Sequence, residues 1–176
     1  MIAPVTLDGL MRARAEAAPD APLFDFLAAD GSPQAAWTRG GLLAAAAGVA
    51  QALVEAGAAG QPVLLCVGPG AEQPAGLFGC FLAGATAVPV YPPAGQAAAE
   101  AAIARVVLAS GARHLLAPAD VGAPLAAALA AALGPAAPRL VALDAAAAAS
   151  PGLAAALPGA RPGDAAIVLY TSGSTG

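Results

Sequence analysis

Residues 60–70 read Gly60-Gln-Pro-Val-Leu-Leu-Cys-Val-Gly-Pro-Gly70, and the run Pro62-Val-Leu-Leu-Cys-Val67 inside them decides the fold. It carries no charge and no polar alternation, and Gly60 and Gly68 bound it. A strand with one wet face alternates apolar and polar side chains, so this run suits a strand covered on both faces. Working outward, residues 71–83 predict a helix, and residues 86–90 predict a short strand closed by Pro92-Pro93. Residues 96–110 resume helical spacing through Ile103, Val106 and Val107, and residues 113–117 are strand-like. Leu125, Leu129 and Leu133 then step along an alanine-rich helix, with Pro124 suited to its first turn. Residues 139–143 and 165–170 read as two further strands, while residues 144–156 suit a helix or a low-complexity loop, with Ala147, Ala148 and Ala149 carrying no chemistry. Upstream, Leu42, Leu43, Val49, Leu53 and Val54 share one helical face that Gly57 ends. Strands alternating with helices imply an α/β fold, a mostly parallel sheet flanked by alanine-rich helices.

Residues 1–38 follow a different pattern. Leu7, Leu10 and Met11 form an apolar stripe with Asp8, Arg12, Arg14 and Glu16 largely opposite, which predicts a short first helix ending at Pro19. Pro22-Leu-Phe-Asp-Phe-Leu27 has period two, with Leu23 and Asp25 on one side and Phe24 and Phe26 on the other. With Asp30-Gly31 as a turn and residues 34–38 following, an antiparallel pair is expected. The reading therefore divides residues 1–176 into a helix and strand pair (1–38) and an alternating strand–helix part (39–176).

Composition narrows the function classes. Of 176 residues, 59% are hydrophobic and 10% charged, the net charge is −4, and all seven basic residues are scattered arginines, with no lysine. An acidic chain without a basic patch is not expected to bind nucleic acid. Mean hydropathy is +0.74, yet the most apolar window, residues 74–89, is broken by Gly76, Gly79, Gly84 and Pro89 and falls short of the roughly 20 residues a membrane span needs. The start has no continuous apolar stretch of a signal peptide. Cys66 and Cys80 lack CxxC spacing and lie in apolar runs, as buried thiols do. A reduced, cytoplasmic protein without a membrane span is the expectation.

The chemistry concentrates in Tyr170-Thr-Ser-Gly-Ser-Thr-Gly176. Thr171, Ser172, Ser174 and Thr175 offer hydroxyl donors, and Gly173 and Gly176 let backbone N–H groups turn inward around an anion. A loop after a buried strand is where open α/β sheets put ligands. The run lacks the Walker GxxxxGK[ST] pattern. Alone, it is either a phosphate loop or a flexible Ser/Gly tail.

A second segment, Ala75-Gly-Leu-Phe-Gly-Cys-Phe-Leu-Ala-Gly-Ala-Thr-Ala-Val-Pro-Val-Tyr-Pro-Pro93, followed downstream by the Tyr170–Gly176 run, resembles the acyl-adenylate-forming, AMP-dependent synthetases and ligases, most closely the fatty-acyl-AMP ligases. Weaker likenesses lie at residues 10–20, at Trp37-Thr38, at residues 57–67 and at Arg161-Pro-Gly-Asp164. The resemblance implies the N-terminal part of that family's large domain, incomplete at the C-terminus. It implies an enzyme that uses ATP and Mg²⁺ to convert a fatty acid to acyl-adenylate and pyrophosphate, then passes the acyl group to an acyl carrier protein, in lipid metabolism or polyketide and lipopeptide biosynthesis. By the same resemblance, Thr171, Ser172, Gly173, Ser174, Thr175 and Gly176 hold the ATP phosphates, and residues 79–93 are scaffold.

Departures bound the expectation. Leu169 stands where these ligases often carry glutamine, and the family's loop continues into Pro-Lys-Gly, beyond Gly176. A chain without lysine supplies neither that lysine nor the family's catalytic one, so a fragment inactive by itself is expected, with no catalytic residue and no metal ligand of its own. The alternative is a non-catalytic segment that serves as an interaction module. His114, with no GxSxG elbow nearby, reads as structural rather than catalytic. Cys66, Cys80 and His114 lack zinc spacing, and Gly68-Pro-Gly70 fails the dinucleotide pattern at Gln73. Asp8, Glu16, Glu55 and Glu100 read as solvated helix faces, and Trp37, Phe24, Phe26, Phe78 and Phe81 as core.

Overall fold

A computed structural model describes residues 6–143 and 152–171 of the chain. Strand β3 (Pro62–Cys66) lies inside a parallel sheet with β4 (Thr86–Val90), β5 (His114–Ala117) and β6 (Arg139–Ala142), in the order β4-β3-β5-β6. Its side chains alternate between two cores. Val63, Leu65 and Val67 join helices α2 (Arg39–Glu55) and α3 (Glu72–Leu82) on one face. Leu64 and Cys66 join α4 (Ala97–Ser110) and α5 (Ala119–Leu133) on the other. Both faces are covered, which is why the sequence shows no polar alternation here. The chain leaves β3 in one direction with α3 on one face, and reverses toward β5 and β6 with α4 and α5 on the other. A constant crossover handedness requires that switch of face.

Small residues let α3 sit close. A methyl group built on Gly79 would lie 2.5 Å from Val49 Cγ1 on α2, and one on Gly76 would lie 2.8 Å from Leu65 Cδ1 on β3. Phe78 and Phe81 pack edge to face in this layer, with ring centroids 5.5 Å apart. Thr38 caps α2 by accepting from Gly41 N–H at 3.0 Å, and Gly57, with φ of 82°, turns the chain out of it. Leu42, Val49 and Leu53 are buried on α2 as expected, but Val54 points outward.

Helix α5 starts earlier than the position of Pro124 suggested. The Pro118 carbonyl accepts from Val121 and Gly122 N–H, so the helix opens at Ala119 and Pro124 sits within it, where it removes a backbone donor. Leu125 and Leu129 reach the sheet. Among the described residues, one helical stretch, Ala119–Ala136, is long and apolar enough by length and composition to cross a membrane, and 17% of it is buried. Of residues 144–156, only a four-residue helix α6 (Leu153–Ala156) and Gly152 fall within the described part, so the helix-or-loop question for residues 144–151 lies outside it.

Strands β1 (Pro22–Leu27) and β2 (Pro33–Thr38) form the expected antiparallel pair, with Gly31 at φ of 82° in the turn. Asp30 Oδ1 accepts from both the backbone and the hydroxyl of Ser32, and those bonds hold its carboxyl below the usual range. Trp37 packs against the α2–α3 core and donates its indole N–H to Ala71 O at 2.8 Å. Phe24 and Phe26 share a side, 6.2 Å apart, but Phe24 is exposed rather than core. A register shift between Pro22 and Phe24 turns Leu23 and Phe24 together toward α1 (Leu7–Ala17), where they line a groove of about 300 Å³ with Leu7, Leu10, Met11 and Phe78.

Helix α1 is rotated from its expected facing. It buries Asp8, Met11 and Ala15 and leaves Leu7 and Leu10 49% and 45% exposed. The solvated face assigned to Asp8 is thereby corrected: the residue is 4% exposed, with Arg12 Nε 3.5 Å from its carboxylate one turn on. Periodicity ranked Leu above Asp for burial, whereas the helix presents Asp8 where it meets the backbone of Gly159.

Candidate functional site

The phosphate-loop reading depends on what delivers the chain to Tyr170. Residues 165–168 run parallel beside β4 on the side away from β3. Thr86 Oγ1 donates to Ala165 O at 2.8 Å, Ala87 N–H to Ala166 O at 2.9 Å, and Val168 N–H to Ala87 O at 2.9 Å. Because the segment is parallel to β4, it reaches Tyr170 and Thr171 at the C-terminal edge of the sheet, the edge at which open α/β folds bind ligands.

The segment is not the full strand expected for residues 165–170. It makes a single bridge, Ala87 to Ile167. The cause lies in β4. Donors alternate sides along a strand, so the next outward-facing donor after Ala87 belongs to Pro89, which has no N–H. The rung that would join β4 to the Val168 carbonyl therefore cannot form. With no strand of the described part beyond it, Ile167, Val168 and Leu169 stay exposed, and Tyr170 folds against the α4–α5 core. Pro89 thus ends the pairing just where the candidate loop begins, a role that residue-by-residue reading of the scaffold segment missed.

Of the predicted site residues, Thr171 is described and exposed, while Ser172, Gly173, Ser174, Thr175 and Gly176 lie outside the described residues. Upstream, Arg161 N–H donates to Asp164 Oδ2 at 2.8 Å, which closes the Arg161-Pro-Gly-Asp164 turn that enters the segment. Gly163 holds φ of 98° in that turn, a conformation glycine tolerates best.

The remaining candidates fall elsewhere. His114 is 7% exposed at the N-terminal end of β5, the sheet edge opposite Thr171. Its Nε2 lies 3.0 Å from Ala56 O, tying β5 to the end of α2, and its Nδ1 has no partner among the described residues. Cys66 and Cys80 belong to cores on opposite faces of the sheet, so they share no site. Burial pushes the Cys66 thiol up to about 11 and that of Cys80 up to about 12. Neither is an activated nucleophile, which would need a depressed value. No group of three or more His, Cys, Asp or Glu side chains among the described residues could hold a metal ion.

Comparison with known proteins agrees with this arrangement. The AMP-binding enzyme family matches residues 11–176. The fold superposes on the fatty acyl-adenylate ligase of L. pneumophila, solved with acyl adenylate and pyrophosphate, with a TM-score of 0.77 and 28% identity over 97% of this chain and 28% of that one. A fatty acid AMP ligase from Legionella pneumophila gives a TM-score of 0.77 and 27% identity over 95% and 28% of the two chains. The nonribosomal peptide synthetase FmoA3 in its AMPPNP-bound form gives 0.74 and 25% over 98% and 17%. The chain therefore spans about 28% of the length of the fatty acyl ligases it matches. With a match covering nearly every residue and the parallel sheet of those ligases beneath it, the chain belongs to the AMP-binding enzyme family.

Proposed function

We propose that this chain is the phosphate-holding part of a ligase that activates a fatty acid with ATP. The observation that supports the reading is the Ala87–Ile167 bridge, which aligns the approach to Tyr170-Thr171 with the C-terminal edge of a parallel sheet. The 28% identical neighbour solved with acyl adenylate and pyrophosphate supports the substrate class.

In this reading Thr171, Ser172, Ser174 and Thr175 donate hydroxyls, and Gly173 and Gly176 backbone N–H groups, to the β- and γ-phosphate oxygens of ATP. The fatty acid carboxylate attacks the α-phosphorus, forming the acyl–phosphate bond as the bond to pyrophosphate breaks. Such a reaction needs alignment and neutralised charge more than covalent help from the protein. A carrier-protein thiol then takes the acyl group and releases AMP. Mg²⁺ accompanies the nucleotide phosphates in this reading, as the family resemblance implies. The protein is assigned to the cytoplasm.

The 176-residue chain alone holds nucleotide without turning it over, because it has no lysine to stabilise the developing charge. Equilibrium ATP binding, followed by ATP–pyrophosphate exchange with a fatty acid, tests both halves. Saturable binding without exchange is the expected result. Absence of binding overturns the phosphate-holding role, and clear exchange overturns the inactivity.

A further inference from the structure

Asp8 is a buried carboxylate in a helix far along the chain from the candidate loop. Arg12 Nε lies 3.5 Å from Oδ2, and Oδ1 has no partner among the described residues. Burying a carboxylate with half of its acceptor capacity unused costs stability, which the surrounding contacts must offset. The neighbour on the Asp8 carboxylate is Gly159. A methyl group built on Gly159 would lie 2.6 Å from Asp8 Oδ2 and 3.5 Å from an Arg12 guanidinium nitrogen, so a side chain at this position fits only if the carboxylate shifts. Gly159 also holds φ of 66°. Its N–H donates to Leu82 O at 2.9 Å, and its own carbonyl abuts Gly84, where a methyl group would lie 2.7 Å away.

Gly159 is thus wedged between the end of α3 and the α1 carboxylate. From there the chain runs through the Arg161–Asp164 turn to the three bonds with Thr86 and Ala87, and so to Thr171. Each of those later anchors belongs either to β4 or to the segment itself. Asp8 and Arg12 are the charged groups that a separate element brings to its start.

We propose that Asp8, held by Arg12, is a positioning residue for the phosphate loop: the carboxylate is the stop against which Gly159 seats, and it fixes where the approach segment begins. The inference rests on the proposed nucleotide site for its functional meaning, but its structural content stands separately. It also accounts for the rotation of α1, which buries an acid and leaves two leucines in the open.

The test uses the full 176-residue chain and three variants, Asp8→Asn, Asp8→Ala and Gly159→Ala. Backbone hydrogen exchange is read at Ala87 and Val168, which pair the approach segment with β4, and at Arg139 and Leu143, which pair β6 with β5. Asp8→Ala and Gly159→Ala are expected to speed exchange at Ala87 and Val168 by about tenfold or more while Arg139 and Leu143 keep their protection, the pattern of local opening. Asp8→Asn keeps the shape, is the variant least prone to misfold, and is expected to give a smaller change at the same two amides. ATP affinity is expected to fall in the same order. Equal acceleration at all four amides marks a merely structural residue and overturns the proposal, as does unchanged exchange at Ala87 and Val168. If the unaltered chain binds no ATP, the proposed function fails, and the amide pattern still decides this inference.

Discussion

Two apolar segments of this chain look alike as sequence and end differently. Pro62-Val-Leu-Leu-Cys-Val67 becomes the centre of the sheet, laddered to β4 and β5 and buried on both faces. Ala165-Ala-Ile-Val-Leu-Tyr170 makes one bridge at the sheet edge and keeps Ile167, Val168 and Leu169 exposed. Intrinsic preference does not separate them, since both are rich in Val, Ile or Leu. Neighbours do. β3 has a strand on each side and a helix layer on each face, whereas residues 165–168 have β4 as their one neighbouring strand among the described residues, with Pro89 missing the donor for the next rung. A centre is held by its surroundings, and an edge segment has fewer of them, which suits the approach to the phosphate loop proposed above.

The largest expected effect lies at the centre. Leu64→Ala should cost about 2–5 kcal/mol of stability by leaving a cavity beneath α4 and α5, while Leu169→Ala, 69% exposed, should stay within about 0.5 kcal/mol. Urea unfolding of the two variants checks this, and similar costs would break the contrast. Next comes the close approach of α3. Gly76→Val must displace Leu65 and Leu143, whose methyl groups a Cβ would meet at 2.8 and 3.2 Å, and overpacking of this kind costs about 1–3 kcal/mol. Gly163→Ala, in open space on the approach turn, carries only the conformational cost of its positive φ, about 1 kcal/mol. Thermal melts of both variants rank them.

A pH series sharpens the same contrast. The usual thiol value is 9.0, and burial raises Cys66 to about 11 and Cys80 to about 12. Above pH 9 the unfolded chain loses thiol protons that the folded chain keeps, so stability falls as pH rises through that window, and below it neither thiol contributes pH dependence. Cys80→Ala should flatten the decline. An unchanged slope would place its cause elsewhere. The smallest effect is expected at Pro89→Ala, which restores the missing donor. A net hydrogen bond is worth about 1 kcal/mol, partly offset by the freedom alanine returns to the unfolded chain. The readout is slow exchange of the amide this substitution introduces. Rapid exchange there would show that something other than the proline ends the pairing.

The elements legible in the sequence were those whose environment is written locally. β3, α3 and β4 were readable because two-sided burial leaves an uninterrupted apolar run and close packing leaves glycines at positions 76 and 79. The Asp30-Gly31 turn and the Gly57 stop were readable because a positive φ selects glycine. What stayed hidden depends on partners distant in sequence. Asp8 faces inward because Gly159 waits there, more than a hundred residues on, and helical periodicity holds no information about that. The start of α5 lies earlier than Pro124 suggested because the carbonyl of Pro118 accepts the opening bonds, which the suitability of proline for a first turn does not reveal. The phosphate-loop expectation rests on the hydroxyls and glycines of residues 171–176, of which only Thr171 lies in the described part. The reason the pairing with β4 stops after Val168, Pro89, lies in a strand read only as scaffold.

The most direct test of the phosphate-holding role is an ATP titration of the 176-residue chain beside a variant in which Thr171, Ser172, Ser174 and Thr175 are all alanine. The account predicts saturable binding that weakens by about tenfold or more in the variant, since a hydrogen bond to a charged group is worth about 1.5–3 kcal/mol. Leu169→Ala, one residue from the same run, should bind as the unaltered chain does. Equal affinity in the four-residue variant, or no saturable binding in any of the three, would contradict it.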